Sequence, residues 1–268
     1  MQGSRYPCCV SSVSIVSWNV NGIRACAKAG FPDWLHQQNH DVVLLQEVRA
    51  EPLQIPADIL ADTRYHKVWN PAKVKKGYSG VALLSKEQPV RVDIGLGFEE
   101  FDGEGRVIMG EFANFIAVGA YFPNSQDGGR RIDYKLRFCE AIHEYVDRLR
   151  KTGKPVALGG DYNVAPNPID LARPKENEGN PGYLPQERAW MASFLDAGWV
   201  DTFRHLNPEK VKYSWWSLRA AARSRNIGWR IDHFAVDKQD RDRVLDADIL
   251  NDVMGSDHCP VTVTLALD

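Results

Sequence analysis

Several features are missing from this chain, and each absence narrows its class. No run approaches the ~18 consecutive apolar residues that a bilayer-spanning helix needs, so no membrane partner is expected. The stretch MQGSRYPCCVSSVSIVSWNV has one arginine, a broken apolar segment and no small-residue cleavage pattern, which argues against a secretory signal. Cysteine is sparse: Cys8, Cys9, Cys26, Cys139 and Cys259 are odd in number and show no CxxC spacing. That set fits neither a disulfide framework nor a zinc finger and points to a reducing compartment. No Ser/Gly/Pro-rich linker, long charged block or fixed-period repeat divides the chain. One α/β domain over residues 13–268 is therefore expected, behind a flexible leader of residues 1–12. A charge surplus is absent too, with 33 Lys+Arg against 35 Asp+Glu and a net charge of -2. A strongly basic coat is excluded, but nucleic-acid binding is not, because cations gathered on one face attract phosphate whatever the total.

What is present is an ordinary globular composition, 44% hydrophobic and 25% charged, over 268 residues. Short β-like runs fall at 14–18, 41–47, 80–85, 106–112, 115–122, 155–163, 230–237 and 260–267. Several are continuously apolar, as expected when both sheet faces are covered, and by themselves they suggest a doubly wound parallel sheet. Helical periodicity appears at 31–39, 135–153 and 184–198; in the second, Leu136, Cys139, Ile142, Tyr145 and Leu149 form an inward stripe and Gly153 a stop.

The strands share a chemical habit: they end in polar residues. SIVSW runs into Asn19 and Asn21, DVVLLQ ends at Glu47, and FIAVGA ends at Tyr121 with Asn124 behind it. PVALGG ends at Asp161 and Asn163, GWRI leads to Asp232, and Asp257 and His258 precede the last strand. Any one of these can be a turn-forming cap. Repeated over so many strands, they suggest a single crevice where ligands bind. Glu47 with one or more of Asn21, Asp161 and Asp257 offers oxygen ligands to a hard divalent cation. Zinc would require more His or Cys than His258 and His233 provide, so magnesium or manganese fits better. In GGDYN, Asp161 can orient or deprotonate water, and Asn163 can donate to an anionic oxygen.

Residues 213–234, YSWWSLRAAARSRNIGWRIDHF, alternate Arg219, Arg223, Arg225 and Arg230 with Trp215, Trp216 and Trp229, and no acidic residue interrupts them from Tyr213 to Ile231. Arginines position phosphates and flat rings cover an exposed sugar or base. A core role for the tryptophans, with the arginines as a solvated rim, is the competing reading. KVKKG (73–77) and GGRRID (128–133) add two basic loops.

Taken in order, SWNVNGIRA, LLQEVRA, GYSGVALLSK, YFPN, ALGGDYNVAP, SWWSLRAAARSRNIGWRIDHF and GSDHCPV span nearly the whole chain. This series resembles the exonuclease III-type apurinic/apyrimidinic (AP) endonucleases of the endonuclease/exonuclease/phosphatase superfamily. The resemblance implies a four-layer α/β sandwich of the DNase I-like kind, with two packed, mainly antiparallel sheets and outer helices, in place of a parallel sheet. It implies Glu47 as principal metal ligand, assisted by Asp257 and Asn21, with Mg2+ as cofactor and Mn2+ as substitute. It assigns Asp161 to water activation, Asn19 to orienting Asp161, and Asn163, Tyr121 and Asn124 to the phosphate. Asp232 and His258 become a buried pair. Trp229 and Trp215 would line an abasic-sugar pocket, with Arg219, Arg225, Asn226 and Arg131 among the substrate contacts. The implied reaction cuts duplex DNA 5′ to an abasic site, with some action on blocked 3′ ends. A monomer is expected, cytoplasmic or, in a eukaryotic cell, nuclear. A related nuclease or phosphodiesterase without abasic selectivity, and a DNA-binding protein with an inactive site, are the alternatives.

Overall fold

The structure is a computed structural model, and residues 11–268 are described. The chain begins with β1 (Ser11–Asn19), α1 (Ile23–Lys28), α2 (Phe31–Gln38), β2 (Val42–Gln46), α3 (Ala57–Ala61), β3 (His66–Asn70) and β4 (Val81–Ser85). It continues through β5 (Arg91–Ile94), α4 (Glu99–Asp102), β6 (Val107–Glu111), β7 (Ile116–Tyr121), α5 (Ile132–Arg150) and β8 (Val156–Asp161). After α6 (Pro185–Asp196), β9 (Trp199–Asp201) and α7 (Thr202–Leu206) come a short ribbon, β10 (Trp215–Trp216) with β11 (Gly228–Trp229), and then β12 (Asp232–Asp237), β13 (Val244–Ile249) and β14 (Val261–Leu267).

Two six-stranded sheets result, ordered β13-β14-β1-β2-β4-β3 and β5-β6-β7-β8-β12-β9. Each is antiparallel except for one parallel pair at its centre, β1 with β2 and β7 with β8. Successive strand residues face opposite sides, and here both sides are covered. Ile15, Leu44, Ala117 and Ala157 enter the core between the sheets. Their neighbours Val16 and Leu45 pack beneath Phe31 and Leu35 of α2, while Val118 and Leu158 pack beneath Phe138 and Ile142 of α5. The order is helices, sheet, sheet, helices. Continuous apolar strands thus arise from a four-layer sandwich, and the parallel-sheet reading is corrected by the antiparallel pairings.

Other boundaries shift as well. Ser11 and Ser12 pair with Leu267 and Ala266, so the first strand starts inside the expected leader; Cys8, Cys9 and the rest of that leader lie outside the described residues. Helix α5 starts three residues early, at Ile132, and buries Lys135 and Phe138 while Leu136 is only partly covered. Glycine at 160 is required by close approach: a Cβ there would stand 1.9 Å from the Ala120 carbonyl oxygen. This lets β7 and β8 run side by side into the crevice.

Candidate active site

Strand register assembles the crevice. In the second sheet Asp161 lies between Tyr121 on β7 and Asp232 on β12, as the Cα partner of each. From the first sheet, Asn19 ends β1 and Glu47 follows β2. The Asn19 Nδ2 donates to Glu47 Oε1 and to Asp161 Oδ2, both at 2.9 Å, and so joins the sheets. Asn21, Glu47, Arg49 and Asn163 all have positive φ, between 43° and 51°. Such non-glycine outliers are held only where the surroundings over-determine them. Here the turns after β1, β2 and β8 aim amides and carboxylates at one point.

Asp161 is fully engaged. Its Oδ1 accepts the Asn163 backbone N–H at 2.9 Å, and Oδ2 accepts Asn163 Nδ2 at 3.2 Å besides Asn19. Asn124 Nδ2 donates to Asn163 Oδ1 at 2.8 Å. His258 Nδ1 lies 2.8 Å from Asp232 Oδ2, leaving Nε2 to face Asp161 Oδ2 at 3.9 Å. Burial disfavours the imidazolium, but Asp232, followed by Asp161 and Asp257, outweighs it and pushes the His258 pKa up to about 10. Burial and then the Asp232 charge raise the Asp161 carboxyl to about 7, with His258 opposing. An aspartate so raised has the basicity that an ordinary one lacks. Burial and the Glu47 charge hold the Tyr121 phenol protonated, well above the usual tyrosine range.

Glu47, Asp161 and His258 offer ligand atoms within 4.8 Å of one another. Two carboxylates with amide oxygens beside them make a hard-donor set, suited to a magnesium-like cation; the single imidazole fits zinc poorly. His233 adds nothing, because its Nδ1 meets Arg230 and its Nε2 meets the Val164 carbonyl, each at 2.9 Å. The sequence placed Asp257 and Asn21 with Glu47 on the metal. In the structure they bond to each other at 2.8 Å on the cavity wall, and Asp257 also accepts from Trp215 Nε1 at 3.1 Å. Glu47 is ion-paired to Arg49.

A cavity of about 220 Å³ opens over Asp161 and His258, with Trp215 and Trp229 in its wall. Their ring centroids are 6.2 Å apart at 84°. Beyond them a shallower hollow of about 390 Å³ is lined by Arg219 and Arg225. The other expected substrate contacts are engaged internally. Asn226 accepts from Trp216 Nε1 at 3.2 Å, and Arg131 bonds Glu104 at 2.7 Å and the Tyr78 hydroxyl at 2.9 Å. Arg230 is no rim residue at all: it lies buried between Asp170 at 2.7 Å and Asp201 at 2.8 Å.

Sequence reasoning missed the support behind the site. Ser214 Oγ donates to Asp232 Oδ2 at 2.7 Å and accepts the Ile231 and Asp232 N–H groups. Lys135, paired with buried Glu187, holds the Asn163 carbonyl at 2.6 Å. Lys135 sits one place from the predicted helix stripe, and no local pattern marks either residue as buried.

The fold and this cluster have known counterparts. The model of the Endonuclease/Exonuclease/phosphatase family matches residues 16–258, and the chain belongs to that family. It is 48% identical to an exodeoxyribonuclease of Bacillus subtilis over 94% of this chain and 99% of that protein. It is 42% identical to the DNA repair nuclease APEX1 of Danio rerio, over 96% and 83%. The crystal structure of an AP endonuclease from Leishmania major superposes with a TM-score of 0.85 at 28% identity, covering 95% of this chain and 88% of that one. The chain is a DNA repair nuclease, a phosphodiester hydrolase acting on DNA. Among the described residues no helix is long and apolar enough to cross a membrane.

Proposed function

We propose that the protein hydrolyses the phosphodiester immediately 5′ to an abasic site in duplex DNA, leaving 3′-hydroxyl and 5′-deoxyribose phosphate ends, and that the same centre processes blocked 3′ ends. The observation that carries this reading is the tryptophan-walled cavity opening directly onto Asp161 and His258. A sugar without a base forfeits less stacking and pairing when it leaves the helix, and Trp215 and Trp229 give it an apolar wall. The names of the relatives, an exodeoxyribonuclease and an AP endonuclease, support action at chain ends and at abasic sites.

Asp161 orients a water for attack on phosphorus and accepts its proton; Asn19 and Asn163 hold the carboxylate for that task. The His258 imidazolium, oriented by Asp232, faces the charge that develops on the phosphoryl oxygens. Asn163, with Asn124 behind it, and Tyr121 line the same position. Glu47, with Asp161 and the Asp257–Asn21 pair beside it, would hold one divalent cation, Mg2+ or in its place Mn2+. When bound, that ion supplies Lewis-acid stabilisation of the phosphoryl oxygens. Arg219 and Arg225 track the backbone of the duplex, so affinity falls as salt rises. The protein acts as a monomer, in the cytoplasm or in the nucleus of a eukaryotic cell.

The test is incision of matched intact, abasic and 3′-blocked duplexes, with and without chelator. Selective, chelator-sensitive cleavage 5′ to the abasic residue is expected. Equal cutting of intact duplex would replace this reading with that of an unselective nuclease.

A further inference from the structure

Arg223 stands in the arginine-tryptophan segment yet does not face the hollow with Arg219 and Arg225. Its guanidinium turns inward onto the loop that leads to the catalytic histidine. Nη1 donates to the Ser256 carbonyl at 2.9 Å, and Nη2 donates to the carbonyls of Asn251 at 2.9 Å and Val253 at 2.6 Å. Its Cζ stands 4.5 Å from the centroid of the Trp216 ring. Among the described residues no carboxylate lies within 4.0 Å of it, so the fork is spent wholly on carbonyls, a geometry that a lysine point charge does not reproduce.

The same segment is tied to the site at two further points. Trp216 donates its backbone N–H to the Asp257 carbonyl at 3.0 Å, and Trp215 reaches the Asp257 carboxylate. Ser256 then receives the His258 N–H at 3.2 Å and donates to the Asn19 carbonyl at 2.8 Å. On the outside, Leu218 is 81% exposed, and Ala220 and Ala221 hold the left-handed conformation at φ 54° and 49°. Alanine rarely adopts it, so the backbone turns sharply at this tip.

We propose that Arg223 is a positioning residue that fastens the duplex-facing segment 217–227 to the loop carrying Asp257 and His258, so that a seated duplex braces the catalytic loop. The inference rests on the reading of that face as the DNA-binding one. Arg219 and Arg225 would then act on affinity, and Arg223 on turnover.

The experiment is hydrogen exchange of the full chain with an abasic duplex in chelator, where no turnover occurs, comparing wild type with Arg223→Met and Arg223→Lys. In wild type the duplex should slow exchange in 217–227 and also in 249–254, which does not line the cavity. In Arg223→Met, protection of 217–227 should persist while that of 249–254 is lost. Arg223→Lys should show the same uncoupling to a smaller degree, which covers the case in which the methionine variant folds poorly. With metal, Arg223→Met should lose more than tenfold in kcat with KM changed less than threefold, whereas Arg219→Ala should raise KM. Protection of 249–254 in both variants, or its absence in wild type bound to duplex, would overturn the proposal. Failure of wild type to bind any duplex would instead remove the functional reading beneath it.

Discussion

Asn19 and Asp161 come from different sheets, yet the amide of one lies 2.9 Å from the carboxylate of the other. Because the same Nδ2 also serves Glu47, one side chain fixes the separation of the two acids. Asn19→Ala should lower kcat by about 10- to 100-fold, the usual cost of losing a support behind a metal-site ligand, with the melting temperature little changed. Incision kinetics on the abasic duplex would reveal it; a near-normal kcat would show that the acids are held without the bridge.

In the proposed mechanism Asp161 is the water-orienting base and His258 the phosphate-facing cation, and Asp161→Asn and His258→Ala remove them. Each should cost about 10² to 10⁴ in incision rate while duplex affinity in chelator stays within a few-fold of wild type. Near-normal cleavage by both would refute the assignment.

The raised pKa values set a pH profile. In the proposed mechanism Asp161 acts unprotonated, so the rate should rise with pH toward 7, and a bound divalent cation will move that limb to lower pH. In the same mechanism His258 acts protonated, so the rate should fall as pH approaches 10. Removing the negative charge in Asp232→Asn withdraws what favours the imidazolium, and the alkaline limb should move to lower pH. An unmoved alkaline limb would mean that another group sets it.

Glu47→Gln should raise the Mg2+ concentration for half-maximal rate by about tenfold or more, because a neutral amide replaces the charged oxygen donor that hard cations prefer. Mn2+ binding followed by electron paramagnetic resonance would give the same shift without turnover. Superimposable titrations would take Glu47 out of the metal set.

Away from the chemistry, Arg230→Met leaves Asp170 and Asp201 buried without their shared cation and should cost about 3–5 kcal/mol of stability in urea unfolding. Burial works against both carboxylates in wild type, but Arg230, joined by Arg204 at Asp170 and by His233 at Asp201, outweighs it and holds both below the ordinary range. Their contribution is therefore present above the unfolded value of about 3.9 and is lost as pH falls through the lower folded values. The gap between wild type and variant should narrow on acidification below about pH 4.

Much of this was legible in the chain. Polar endings on apolar strands identify Asn19, Glu47, Tyr121 and Asp161 because a strand terminus delivers the next side chain to the crevice whatever the sheet order; Asp232, read as another ending, instead opens β12 and reaches the crevice because that strand runs antiparallel to β8. The sheet order itself is not local information: the continuous runs in β2 and β8 fit any arrangement that covers both faces. Edge strands such as His66–Asn70 and Arg91–Ile94 escaped because partial exposure admits charged residues that blur the pattern. The arginines of 219–230 look alike in sequence but divide into outward, clamping and buried members. That division depends on partners such as Asp170, 60 positions away from Arg230. Ser214 and Lys135 act through contacts with residues 18 and 28 positions distant, which no motif records.

The pairing of β1 with β14 has a consequence for synthesis. Ser11 lies opposite Leu267, so β1 waits for the much later β14 before the first sheet is complete. A nascent chain can carry Glu47 and Asp161 long before it carries His258, which enters only with the segment preceding β14. Joining contacts so remote in sequence is slow. His258 joins the other two only when the segment before β14 is made, so a chain cut short of that segment lacks the group proposed to face the phosphate.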